Sequence, residues 1–125
     1  MEPLKKRHKD EIEKFNSFNK DHQKYIDIKK QLGGQLNEVE SVHEELKLLN
    51  TDNTVYKAIG PVLVKQDLKE AKETVAKRRN YINDQIKRND DLIKEIENKR
   101  KVHEDNIKKT ENQIQQLQLK AAMKA

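Results

Sequence analysis

Cysteine is absent from the 125 residues, which excludes a disulfide framework and any thiolate-held metal. No apolar run approaches the ~18 residues that a membrane-crossing helix needs. The opening residues, Met1-Glu2-Pro3-Leu4-Lys5-Lys6-Arg7, lead straight into charged sequence without the apolar stretch of a secretory signal. The expectation is a cytoplasmic protein that makes no membrane contact. Apolar residues are scarce at 33%, against 39% charged residues, whereas an ordinary domain is nearer half apolar. That is too little to fill a three-dimensional core. It is enough to line a seam between two helices, which uses about two positions in seven. Disorder is the competing reading of so polar a chain, and periodicity decides against it.

From position 68 onward, a ladder of alternating four- and three-residue steps carries Leu68, Lys72, Val75, Arg79, Ile82, Ile86, Asn89, Ile93, Ile96, Arg100, His103, Ile107, Thr110, Ile114, Leu117 and Ala121. Tyr81, Leu92, Val102 and Leu119 fall beside it. A sustained 3.5-residue period specifies a coiled-coil seam, and no glycine or proline interrupts the segment. At 1.5 Å per residue such a helix spans roughly 80 Å. The first part of the chain is less regular. Ile12, Phe15, Phe18, Tyr25, Ile28, Leu32, Leu36, Val39, Val42, Leu46 and Leu49 read as one apolar stripe, with Gly33-Gly34 inside it as a weak or flexing point.

Between the helical parts, the polar cluster Asn50-Thr51-Asp52-Asn53 marks a helix end. Two β-rich runs then flank Gly60-Pro61, which is a hairpin signal. With Ile59 opposite Val62, one face carries Val55, Ile59, Val62 and Val64, and the other carries Tyr56, Ala58 and Leu63. A lone two-stranded hairpin is marginal in water, and one with two apolar faces and open edges invites further strands. The chain therefore reads as mainly α, a long antiparallel two-helix coiled coil joined by one β-hairpin. It forms a single domain over 1–125, with helix 4–50, hairpin 54–66 and helix 67–120. The returning helix brings Leu49 near Leu68 and the two chain ends together.

The sequence offers no chemistry. His8, His22, His43 and His103 have no partner at a metal-binding spacing, and nucleophile elbows and phosphate loops are missing. Asp27, Glu38, Glu44, Glu45, Glu95 and Glu97 alternate with lysines and read as a solvated face. No catalytic residue, metal or cofactor is expected. The net charge of +5 is spread out, and Lys77-Arg78-Arg79 and Lys99-Arg100-Lys101 are short runs within the heptads, so no nucleic-acid partner is expected either. A structural tether is the alternative function, although a tether has no use for a two-faced apolar hairpin.

The run Val55-Tyr56-Lys57-Ala58-Ile59-Gly60-Pro61-Val62-Leu63-Val64-Lys65-Gln66 closely resembles the hairpin of β-class prefoldin subunits. It is flanked by Glu44-Glu45-Leu46-Lys47-Leu48-Leu49 and by Ala71-Lys72-Glu73-Thr74-Val75-Ala76-Lys77-Arg78. Ala58 stands where that family often has a larger aliphatic residue. The resemblance implies an ATP-independent chaperone built from two α-class and four β-class subunits. Its hairpins share a double β-barrel, and its helical arms hold unfolded proteins, chiefly actin and tubulin, and pass them to the cytosolic chaperonin. On that reading Val55, Tyr56, Ala58, Ile59, Val62, Leu63 and Val64 serve oligomerisation. Leu4, Ile12, Phe15, Phe18, Ile114, Leu117, Leu119 and Met123 serve client binding, and Ile107 lies among them.

Overall fold

A computed structural model describes residues 1–50 and 52–124. Thr51, in the polar cluster, lies outside the described residues. The elements follow in the order α1 (Glu2–Lys47), β1 (Val55–Ile59), β2 (Val62–Gln66) and α2 (Leu68–Lys124). Two long helices are thus joined by an antiparallel β-hairpin. Pro3 sits in the first turn of α1, where its missing N–H costs nothing. The helix runs unbroken through Gly33-Gly34. It closes with tightened turns, Leu48 N–H to the Glu45 carbonyl at 3.1 Å and Leu49 N–H to the Leu46 carbonyl at 3.2 Å.

The first helix ends earlier than the expected position 50, because asparagine side chains compete for its backbone. Asn53 Oδ1 accepts from Asn50 N–H at 2.9 Å, and Asn50 Oδ1 accepts from Asp52 N–H at 3.0 Å, turning the chain instead of extending the helix. Asp67, expected as the first residue of the second helix, is its N-cap. Its carboxylate accepts from Glu70 N–H at 3.4 Å and its carbonyl from Ala71 N–H at 2.9 Å. At the other end α2 continues four residues past the expected position 120, to Lys124.

Two compact units divide the chain: a central unit, residues 28–89, and a terminal unit, residues 1–27 with α2 from Asp90 onward. In the central unit Val39 and Leu46 of α1 are buried, as are Ala71, Ile82 and Asn89 of α2. Arg79, a polar residue on the ladder, reaches Glu40 of the opposite helix at 2.5 Å. The α2 ladder is buried or half-buried from Leu68 to Ile114, while Leu117 and Ala121 are exposed. Tyr81, Leu92, Val102 and Leu119 are all exposed.

The stripe on α1 departs from the apolar reading at two places. Val42 is exposed and His43 is half-buried; Ile12 is exposed while His8 and Glu11 are half-buried. The 3.5-residue interval sets the seam, and at these positions it lands on polar side chains.

The terminal unit satisfies those polar residues across the seam. Thr110, only 2% exposed, donates its one hydroxyl proton to the Ile107 carbonyl at 3.1 Å. Its oxygen must then accept from His8 Nδ1, 2.6 Å away, so that nitrogen carries a hydrogen. Arg100 donates to Asn19 Oδ1 at 3.3 Å. His22 donates to Glu97 at 3.1 Å, which takes Glu97 out of the purely solvated face. His103 pairs with Glu11 and stacks on Phe18, with ring centroids 5.4 Å apart and planes inclined by 15°.

The hydrogen bond from His103 holds the Glu11 carboxyl below its usual 4.5, with smaller help from Asn106, the charge of His103 and Lys14. A carboxyl with a depressed folded-state pKa contributes stability that is fully present above 4.5 and is lost as pH falls through its folded value. Glu11→Gln should therefore destabilise the chain by about 1 kcal/mol at pH 7, given the strength of a partly screened charge-assisted hydrogen bond. The gap between its melting temperature and that of the unmodified chain should narrow from pH 7 to pH 3 as the carboxyl takes up its proton. Circular-dichroism melts at the two pH values check this, and an equal gap at both would contradict it.

Candidate functional site: an uncovered hairpin and an exposed helix end

The hairpin register follows from its turn. Gly60 has φ of +58°, and Pro61 is fixed near −65° by its ring. A positive φ at the first central position alone is a type II′ turn, whose twist suits a two-residue hairpin. Type I′ is excluded, since proline cannot take positive φ at the second position. Ile59 then opposes Val62, Ala58 opposes Leu63, Lys57 opposes Val64, Tyr56 opposes Lys65 and Val55 opposes Gln66. Alternation places Val55, Lys57, Ile59, Val62, Val64 and Gln66 on one face, and Tyr56, Ala58, Leu63 and Lys65 on the other.

Only the pair at the base, Val55 and Gln66, is half-buried. Tyr56, Ala58, Ile59, Val62 and Val64 are exposed, and Leu63 is 67% exposed. The sheet contains two strands, so both outer edges present unpaired backbone groups. Such a surface is marginal alone in water and open to pairing with further strands.

The terminal unit places the other candidate residues in two environments. Leu4, Phe15, Phe18, Ile107 and Ile114 are half-buried along the seam, and Phe18 is held there by His103. Leu4 and Leu117 meet at one shallow hollow, with Gln113, Gln116 and Lys120 around it. Ile12 and Leu117 are exposed, and Leu119 and Met123 are 63% and 79% exposed. Among the described residues no cluster of three histidine, aspartate or glutamate side chains could hold a metal ion, and no helix is long and apolar enough to cross a membrane.

The comparison with known proteins fits this geometry. The family described as Prefoldin subunit matches residues 9–121. The chain belongs to the prefoldin family. Mouse prefoldin subunit 6 is 37% identical over 117 residues, covering 94% of this chain and 92% of the relative. The fruit-fly protein described as probable prefoldin subunit 6 is 39% identical over 120 residues, covering 96% and 94%. Among solved structures, the prefoldin beta subunit from Thermococcus strain KS-1 superposes with a TM-score of 0.77 at 19% identity, over 82% of this chain and 90% of that one. That likeness shows a shared prefoldin fold: two long helices joined by a β-hairpin. Membership of the prefoldin chaperone complex, in company with other prefoldin subunits, follows from the family.

Two features of this prefoldin chain escape an apolar reading of its sequence. The polar pairs Glu11–His103 and His22–Glu97 depend on the register between helices, which no local spacing reveals. Val42 breaks the 3.5-residue step by one position, a signal that is present in the sequence once the period is counted strictly.

Proposed function

We propose that this chain is a β-class subunit of an ATP-independent, cytoplasmic hetero-oligomeric chaperone that captures unfolded proteins, such as actin and tubulin, and delivers them to the cytosolic chaperonin. The observation that carries the reading is the hairpin: ten strand residues, largely apolar on both faces and open along both edges. Strands of other α- and β-class subunits complete it as a shared barrel through Val55, Tyr56, Ala58, Ile59, Val62, Leu63 and Val64.

Clients are held by the terminal unit, where Leu4, Ile12, Phe15, Phe18, Ile114, Leu117, Leu119 and Met123 supply apolar contacts. Lys5, Lys6, Lys120 and Lys124 beside them keep that surface soluble between clients. Met123 is flexible and polarisable and adapts to many shapes. Each contact is weak, and several subunits around one client multiply them through effective concentration. No step calls for a nucleotide or a cofactor. The test is suppression of aggregation of chemically unfolded actin by the assembled complex. Equal suppression with and without ATP is expected; a requirement for ATP would overturn the reading.

A further inference from the structure

The exposed position of Val42 has a counterpart on both neighbouring elements. Val42 is 44% exposed, although Val39 and Leu46 on either side of it are buried. Beside it lies a hollow of about 230 Å³, bounded by Leu46 of α1, Val55, Tyr56 and Lys57 of β1, and Ala71 and Val75 of α2. A second hollow of about 260 Å³ shares Val42 and Val75 and continues along the helices past Val39, with Glu38 and Arg78 at its rim. All of these residues belong to the central unit. Each hollow falls below the ~300 Å³ at which small-molecule sites begin. Their size and lining suit aliphatic side chains.

The first hollow is lined by three consecutive residues of β1, Val55, Tyr56 and Lys57, and by Gln66 of β2 at the base of the hairpin. In a two-residue hairpin the turn pair, Ile59 and Val62, is hydrogen-bonded, and bonded pairs alternate with unbonded ones. Lys57–Val64 and Val55–Gln66 are then bonded pairs, so Tyr56 and Ala58 direct their backbone groups outward. A strand added there pairs with Tyr56 and Ala58. Its alternate side chains fall on the face of Val55 and Lys57, the face that brings those two residues and Gln66 to the hollow.

We infer that the groove at Val42 seats an aliphatic side chain from a neighbouring prefoldin subunit, on a strand paired to the open edge of β1. The inference rests on the proposed shared barrel and extends that interface from the hairpin onto the helices. The groove is continuous with the hairpin through Val55, Tyr56 and Lys57, and its rim of Glu38, Lys57 and Arg78 offers both signs of charge to polar groups flanking the inserted side chain.

The absence of cysteine makes the test clean. Val42→Cys, Leu63→Cys and Tyr81→Cys are each labelled with a maleimide, first as the isolated subunit and then in the complex with the other subunits. Val42→Cys should label at least ~10-fold more slowly in the complex, as expected for a site that assembly removes from solvent. Tyr81→Cys, on the exposed side of α2, should label at the same rate in both states. An unchanged rate at Val42→Cys with protection at Leu63→Cys would overturn the groove and leave the shared barrel standing. Loss of protection at Leu63→Cys would overturn the barrel itself, and with it the strand that fills the groove. Concentration-dependent protection of the isolated subunit would assign the groove to a second copy of this chain. Protection appearing only when unfolded actin is added would assign it to a client. Either of these results would overturn the inference.

Discussion

Leu63→Asp should leave the isolated chain as helical as before and abolish its entry into the complex. Leu63 is 67% exposed in the free chain, so the new carboxylate is solvated there and costs little. In a shared barrel the same carboxylate would be buried without a partner, at a cost of several kcal/mol. Each 1.4 kcal/mol is about tenfold in affinity, so association should weaken by at least ~100-fold. Ile59→Asp tests the opposite face: a barrel encloses one face of each strand, so at least one of the two variants must fail to assemble. Far-UV circular dichroism of the subunit, together with sizing of the reconstituted complex, separates assembly from folding. Normal assembly of both variants would remove the hairpin from the interface.

The second large effect concerns client capture. Leu119→Ser combined with Met123→Ser should leave assembly and helix content unchanged while suppression of client aggregation falls by about tenfold, since partial burial against a client captures only part of the ~1.5–3 kcal/mol of a fully buried apolar side chain and ~1.4 kcal/mol in total is a factor of ten. These two positions isolate the surface contribution because both are well exposed. Phe15 and Phe18 do not isolate it. Both are half-buried and Phe18 packs on His103, so changing either would loosen the seam as well. If suppression by the intact complex is unchanged, the client surface lies elsewhere, and the inner faces of the helices become the next place to test.

The parts of this fold that were legible in the sequence are those set by local chemistry. The ladder from Leu68 to Ile114 could be read because a 3.5-residue interval survives the insertion of Arg79, Asn89 and Thr110. The hairpin register could be read because a Gly-Pro pair admits few turns, and it puts Ile59 opposite Val62. The turn type required the sign of φ at Gly60. On α1 the apolar residues mislead: Ile12 and Val42 are the more hydrophobic choices, yet the seam takes Glu11 and His43. A polar residue is tolerated there when the opposite helix supplies its partner, as Thr110 does for His8 and His103 for Glu11. Those partners lie about a hundred residues away in the chain, so no local pattern announces them. The candidate site divides in the same way. The apolar faces of the hairpin follow from period-two alternation, whereas the groove at Val42 arises only when α1, β1 and α2 are brought together.

The most direct measurement is the native mass of the complex that contains this chain, purified from its source under gentle conditions. A six-chain assembly is expected, in which this subunit is accompanied by other prefoldin subunits of both classes and which falls apart when this chain carries Leu63→Asp. A monomer, or a complex that holds only copies of this chain, would contradict it.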